Sequence, residues 1–232
     1  MRFSHIPLFL REFRSCFDTT GAILPSGGPL AGKLASPMTD YLPPRRILEA
    51  GSGTGPVTSR LVSLLEPGDE LVLSEINPSF SDLLAARLEG EWAAKRHQIR
   101  LVRGDVNELL EPRSYNLIVS GLPLNNFESD FVSRLLDRFL KALVPGGAHT
   151  FFEYIGIRPV RMYVGPNPEK KRLRGINTTI RAQLEGYDWK RTPILANVPP
   201  AWVYTVRSTT VAAVAPRSID TPVAGELSSF ST

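Results

Sequence analysis

The chain of 232 residues has a single cysteine, Cys16, so no internal disulfide can form and no set of thiolate metal ligands is on offer. That usage fits a reducing compartment and excludes a disulfide-stapled fold. Histidine is almost as scarce: His5, His97 and His149 stand far apart and outside any ligand-spaced motif, so no metal is expected. No window approaches 18 uninterrupted apolar residues. The first residues, interrupted by Arg2, His5, Arg11, Glu12 and Arg14, lack the charged start and apolar core of a secretory leader. Neither a transmembrane span nor a cleaved signal is therefore expected, and no internal repeat is evident.

What the chain does have is 42% hydrophobic and 22% charged residues, enough to bury a core as one domain with short additions. Lysine and arginine outnumber aspartate and glutamate by 27 to 23, for a net charge of +4 and a pI near 9.4. Such a balance favours an anionic partner, whether phosphate, nucleic acid or an acidic membrane, without choosing among them.

Between Pro43 and Gly156, apolar runs alternate with helical patterns, the signature of parallel strands joined by crossover helices. Strands are predicted at 46–50, 70–76, 99–103, 115–120 and 149–155, with a last one at 202–206. Helices are predicted from Pro56, over 78–88, over 127–143 and over 170–184. Pro56 suits a first helical position, where the amide it lacks would have no intrahelical partner. Gly146-Gly147 reads as a turn into the fifth strand. Residues 208–232, rich in Ser, Thr, Ala and Pro and without period, read as a flexible tail. After Pro7, a helix would gather Phe9, Leu10, Phe13 and Phe17 on one side, making residues 1–40 an amphipathic addition to a domain spanning 41–207.

The chemistry gathers at the ends of the predicted strands. Glu49 precedes Gly51-Ser52-Gly53-Thr54-Gly55, and glycines there let a ligand approach the backbone closely. The dinucleotide fingerprint requires a third glycine at position 56, where proline stands, and Glu49 would repel a phosphate. A cationic ligand without phosphate fits better, and S-adenosylmethionine is one, its carboxylate taking amide donors from the turn. Glu75, 24 residues after Gly51, ends the second strand where a carboxylate can accept from both ribose hydroxyls, with Ile76 beside it. Asp105 can serve the adenine amino group while Val106 packs on the ring, although Asp105 would also cap the helical turn next to it. After the fourth strand, Ser120-Gly121-Leu122-Pro123 should line the reaction site, with backbone carbonyls accepting from an amine and orienting its lone pair.

The set of Glu49, the glycine turn, Glu75, Asp105 and the loop after the fourth strand resembles the class I methyltransferases. More narrowly, Thr20 to Ser26 with Leu30-Ala31, Ser120 to Leu124 and Asn197 to Tyr204 resemble the bacterial phospholipid N-methyltransferases, over about residues 8–207. That resemblance implies a Rossmann-like α/β fold with a mainly parallel seven-stranded sheet and helices on both faces. It implies S-adenosylmethionine as cofactor, S-adenosylhomocysteine as product and phosphatidylethanolamine, with its partly methylated forms, as substrate. It further implies a cytoplasmic protein, peripheral on the inner face of the membrane.

The resemblance also places Ile23, Pro25 and Ser26 against the cofactor and makes the first helix a membrane contact. A basic segment over 158–181, with Arg158, Arg161, Lys170, Lys171, Arg172, Arg174 and Arg181 against one acid, Glu169, would then lie on anionic lipid. By position, Tyr154 is expected beside the headgroup and Arg158 on the lipid phosphate. The family is similar to rRNA adenine dimethyltransferases, in which the loop after the fourth strand usually reads Asn-Leu-Pro followed by a stacking aromatic. Ser120 and Leu124 stand where that asparagine and aromatic would be, which disfavours nucleic acid. A methyltransferase for a small soluble amine, and a cofactor-binding protein without catalysis, are the other readings. Vesicle dependence separates the first of these from a lipid enzyme.

Overall fold

The computed structural model of the chain describes residues 27–122, 124, 127–155 and 178–208. The predicted first helix, most of the basic segment, the tail from 209 on, and Ile23, Pro25, Ser26, Pro123 and Arg158 lie outside the described residues. Helix α1 (Gly28–Ala35) leads through a 3-10 turn (Ser36–Asp40) to β1 (Arg46–Ala50) and α2 (Pro56–Ser63). β2 (Glu70–Glu75), α3 (Pro78–Glu89), β3 (Ile99–Arg103) and β4 (Tyr115–Ser120) come next. The chain continues through α4 (Ser129–Ala142), β5 (Leu143–Tyr154), a helical stretch α5 over 178–184, β6 (Asp188–Ile194) and β7 (Ala201–Arg207).

The strands form one seven-stranded sheet in the order β3-β2-β1-β4-β5-β7-β6. The first five strands run parallel, while β7 is antiparallel to both β5 and β6. Two apolar layers flank the sheet because alternate residues of β1 face opposite ways: Ile47 joins Leu34, Leu61 and Leu84, whereas Leu48 joins Leu136, Phe139 and Phe151. α4 shows why a helix forms here, since Val132, Leu135, Leu136, Phe139 and Leu140 recur at helical spacing and are all buried. At roughly 2 kcal/mol for each such side chain, this stripe supplies on the order of 10 kcal/mol of apolar burial. Strand order reverses between β1 and β4, so the carboxyl ends of these two strands open the crevice in which ligands of such sheets bind.

Three features differ from the sequence reading. Gly146-Gly147 is no turn before the fifth strand; β5 starts at Leu143, and the glycine pair sits in a register shift between Tyr115↔Leu143 and Leu117↔Ala148. β6 shows no alternation in sequence because it is the sheet's edge, with Asp188, Trp189, Lys190 and Arg191 all exposed. α1, short and carrying Gly28 and Gly32, gave no helical signal, yet it buries Leu30, Ala31, Leu34 and Ala35. Thr150 Oγ1 donates to Leu34 O at 2.9 Å, so residues 28–40 pack as part of the core rather than apart from it.

At the amino ends of the strands, Arg45 and Asp69 form a buried pair. Asp69 takes the Arg45 side chain on both oxygens and the Arg45 backbone amide at 2.8 Å, while Arg45 also reaches Met38 O and Leu64 O. This knot ties β1 to the approach to β2 at the edge opposite the crevice.

Candidate functional site

The glycine turn leaves β1 with Gly51 N donating to Ser74 O at 2.9 Å and Gly55 N to Ser52 O at 2.9 Å. Its three glycines do different work. A β-carbon on Gly53, at φ +55°, would meet nothing within 4 Å, so this is the glycine that faces open ligand space. Gly55 instead packs under Trp92 and Leu84, with Arg87 donating to Thr54 O at 2.8 Å from below. Gly51 lies against the loop after β4: a β-carbon on Gly121 would stand 2.5 Å from Gly51 O, and Gly121 N donates to Ala50 O at 2.9 Å. Glycine at 121 therefore lets the end of β4 touch the turn, bringing the two predicted halves of the site together.

Glu49 is 1% exposed and accepts from Thr58 Oγ1 at 2.6 Å. Burial pushes its carboxyl up from 4.5 to about 8, against the pull of the Thr58 hydroxyl. The acid thus lies beneath the turn with no cation among the described residues to balance it. A positively charged ligand above the turn would favour its ionised form. Thr58, which the sequence reading missed, is the residue that holds it.

Glu75 closes β2 and is buried; its two oxygens accept from Gly53 N at 2.7 Å and Asn77 N at 2.8 Å. Burial raises its pKa, and these amides oppose the rise. The turn amides expected to meet a ligand carboxylate are thus mostly engaged within the protein: Gly51 and Ser52 with Ser74 O, Gly53 with Glu75. Ribose hydroxyls drawing Glu75 toward themselves would release the Gly53 amide. Ser52 is buried, Thr54 half-buried, and Ile76 half-buried in the turn after β2 rather than inside the strand.

Asp105 serves as the expected cap: Oδ1 accepts from Asn107 N at 2.9 Å, at the start of the 3-10 turn Val106–Leu109. Oδ2 remains outside the cap. Val106 is 7% exposed and belongs mostly to the core, so only its edge is left for a ring. Ser120 is buried with Oγ accepting from Leu122 N at 3.3 Å, and Leu122 O already accepts from Leu124 N at 2.9 Å.

Tyr154 ends β5 three residues beyond Phe151, the partner of Ser120. It packs edge-on to Phe152 on the α1 side of the sheet, and burial raises its pKa. Glu153, its neighbour, was missed in the sequence; it is 6% exposed on the same side as Leu122 and Leu124, and Tyr204 donates to it at 3.3 Å. An acid interrupting the apolar run Phe151-Phe152-Glu153-Tyr154 was the available signal. Among the described residues no group of acids, histidines or cysteines is arranged to hold a metal, and no helix is long and apolar enough to cross a membrane.

Residues 47–147 match the family described as methyltransferase domain. An ornithine lipid N-methyltransferase from Singulisphaera acidiphila is 28% identical over 146 residues, spanning 60% of this chain and 73% of that protein. Among solved structures, the O-methyltransferase TomG from Streptomyces achromogenes, in complex with S-adenosylmethionine, aligns with a TM-score of 0.60 at 18% identity, covering 78% of this chain and 79% of that one. An O-methyltransferase from Bacillus cereus aligns with a TM-score of 0.58 at 16% identity over 89% of this chain and 92% of that one. The fold is that of the class I methyltransferases. With the open face of Gly53, the buried uncompensated Glu49 and Glu75 at the end of β2, the residues present fit S-adenosylmethionine.

Proposed function

We propose that this S-adenosylmethionine-dependent methyltransferase acts on the primary amine of a membrane lipid, with phosphatidylethanolamine as its substrate. The observation that carries the lipid class is the relationship to an ornithine lipid N-methyltransferase, since that relative methylates nitrogen on a lipid. The loop after β4 agrees with it: Ser120-Gly121-Leu122 offers backbone acceptors to an amine and no side-chain amide or aromatic platform for a flipped base.

When bound, the cofactor supplies a methyl group on a positively charged sulfur. Glu49 and Gly53 hold its amino-acid end, Glu75 its ribose, and Asp105 with the edge of Val106 its base. The chain's part in the reaction is to fix the acceptor. The substrate arrives as an ammonium and reacts as a neutral amine, so a proton must pass to solvent and the lone pair must be aimed. The carbonyls of Ser120 and Gly121 accept the remaining N–H groups and set that direction. Tyr154 and Arg158 are assigned to the headgroup, the phenol at the wall of the crevice and the guanidinium on the phosphate.

The test is dependence on a bilayer. Activity of the purified protein should rise on adding vesicles of phosphatidylethanolamine and phosphatidylglycerol and fall with salt, because basic contacts to anionic lipid are screened beyond about 8 Å at physiological ionic strength. Tyr154→Phe and Arg158→Ala should each lower turnover of lipid with cofactor affinity unchanged. Methylation of a soluble amine at full rate without vesicles, unaffected by either substitution, would refute the lipid reading.

A further inference from the structure

We infer that the connection between β6 and β7, residues 195–200, is the point at which the protein inserts into a lipid bilayer; the inference rests on the lipid reading above. The sequence there is Leu195-Ala196-Asn197-Val198-Pro199-Pro200. A surface connection is ordinarily polar, but the one polar side chain of this loop is turned inward. Asn197 is 2% exposed; its Oδ1 accepts from Gly27 N at 2.8 Å and its Nδ2 donates to Pro199 O at 2.7 Å. What the loop shows to solvent is Leu195, 71% exposed, and Val198, 68% exposed. Asn197 braces the loop from within, so the two apolar side chains are held outward on a fixed frame.

Among the described residues, this loop extends beyond the end of β4 on the crevice side. Ile194 and Ala201 pair with each other, and Ala201 pairs with Tyr154 at the end of β5. The hairpin therefore tops the sheet at the same edge as the glycine turn. Because Tyr154 lies three residues past the partner of Ser120, the hairpin end rises about 10 Å above the end of β4. Of the described residues, Leu195 and Val198 stand farther out on this side than Ser120.

The loop is also anchored at its far end, where Ile155 N donates to Pro200 O at 2.7 Å. A further observation points to lipid as the occupant. On β6, Lys190 and Arg191 are exposed, roughly 13 Å or more back from Leu195, with Arg191 resting on the Trp202 ring at 4.6 Å. Apolar tips with cations behind them match acyl chains beneath anionic headgroups.

The test is flotation with vesicles of phosphatidylethanolamine and phosphatidylglycerol, comparing the full chain with Leu195→Glu/Val198→Glu. Leu42→Glu, at a residue 89% exposed just ahead of β1 on the opposite edge, is the control. The double variant should partition at least ~10-fold more weakly, while cofactor affinity and methylation of a short-chain, monomeric lipid amine stay at the wild-type level and the control behaves as wild type. In a second measurement, the indole introduced by Leu195→Trp should be quenched by lipids brominated near the glycerol end of the acyl chains. Wild-type partitioning of the double variant, or an unquenched indole on bound protein, would overturn the inference while leaving lipid methylation standing. A shift from dimer to monomer in the double variant with vesicle binding unchanged would assign the loop to a second copy and also overturn it. If the wild-type chain binds cofactor but neither floats nor methylates lipid, the lipid reading itself fails and takes the inference with it.

Discussion

Glu49→Gln should stabilise the free protein at alkaline pH and weaken its hold on the cofactor. The glutamine keeps the shape of the buried acid and an oxygen for the Thr58 hydroxyl at 2.6 Å, but it cannot ionise. In the wild-type protein burial raises this carboxyl from 4.5 to about 8. The folded state therefore keeps a proton that the unfolded chain has lost, so stability is full below pH 4.5 and falls as pH rises to about 8. The whole interval corresponds to about 5 kcal/mol, at 1.36 kcal/mol for each pH unit. The variant should lack this decline, so urea unfolding from pH 5 to 9 should show its advantage growing by several kcal/mol. Cofactor binding should move the other way. A cation above the turn favours ionised Glu49, so at pH 7 binding to the wild type releases close to one proton, and affinity climbs about tenfold per pH unit up to pH 8. Glu49→Gln should bind about 10- to 100-fold more weakly at pH 8.5, the scale of one charge-assisted contact, with neither proton release nor pH slope. Calorimetry in two buffers of different ionisation enthalpy measures both. Equal affinity of the two proteins at pH 8.5 with identical pH profiles would refute the assignment of Glu49 to the cationic end of the cofactor.

Four other substitutions separate the site from its scaffold. Gly53→Ala meets open space at φ +55°, so it should cost only about 1–2 kcal/mol in stability yet lower cofactor affinity by a larger factor, whereas Gly121→Ala, 2.5 Å from Gly51 O, should destabilise by about 3 kcal/mol; thermal unfolding with and without cofactor distinguishes them. His149, fully buried against Phe139 and Phe151 with Nδ1 donating to Ile118 O, is pushed by burial down to about 4. The unfolded chain then binds the extra proton between pH 6.5 and 4, so stability drops as pH falls through that window by about 3 kcal/mol, and His149→Phe should abolish that part of the acid transition seen by circular dichroism. Asp69→Ala leaves buried Arg45 with only the exposed Glu66 as counter-charge and should cost about 3 kcal/mol in urea unfolding with no direct effect on cofactor contacts.

The first four strands were legible in the sequence because each is a short apolar run bounded by turn residues, and Arg46–Ala50 agrees residue for residue. β6 was hidden by its place at the edge, where Trp189, Lys190 and Arg191 face solvent and no period of two survives. α1 was hidden because its helix is held by tertiary burial of Leu30 and Leu34 rather than by propensity. At the site, residue types and spacing named Glu49, Gly53 and Glu75, because each stands at a fixed offset from the end of a readable strand. They did not reveal that Glu49 lies under the turn on Thr58, that Glu75 already holds the Gly53 amide, or that Leu122 O is taken. Those facts come from side-chain direction and backbone accounting, which only the folded chain supplies. Glu153 escaped because a buried acid two residues past a strand partner of Ser120 has no signature besides its contrast with apolar neighbours.

The most direct test of the substrate assignment is transfer of radiolabelled methyl from S-adenosylmethionine to three acceptors offered together: phosphatidylethanolamine in anionic vesicles, ornithine lipid in the same vesicles, and unmethylated ribosomal RNA. Label on the phosphatidylethanolamine headgroup is the predicted result. Label on ornithine lipid alone would keep the lipid class and correct the headgroup, whereas label on RNA alone would contradict the account.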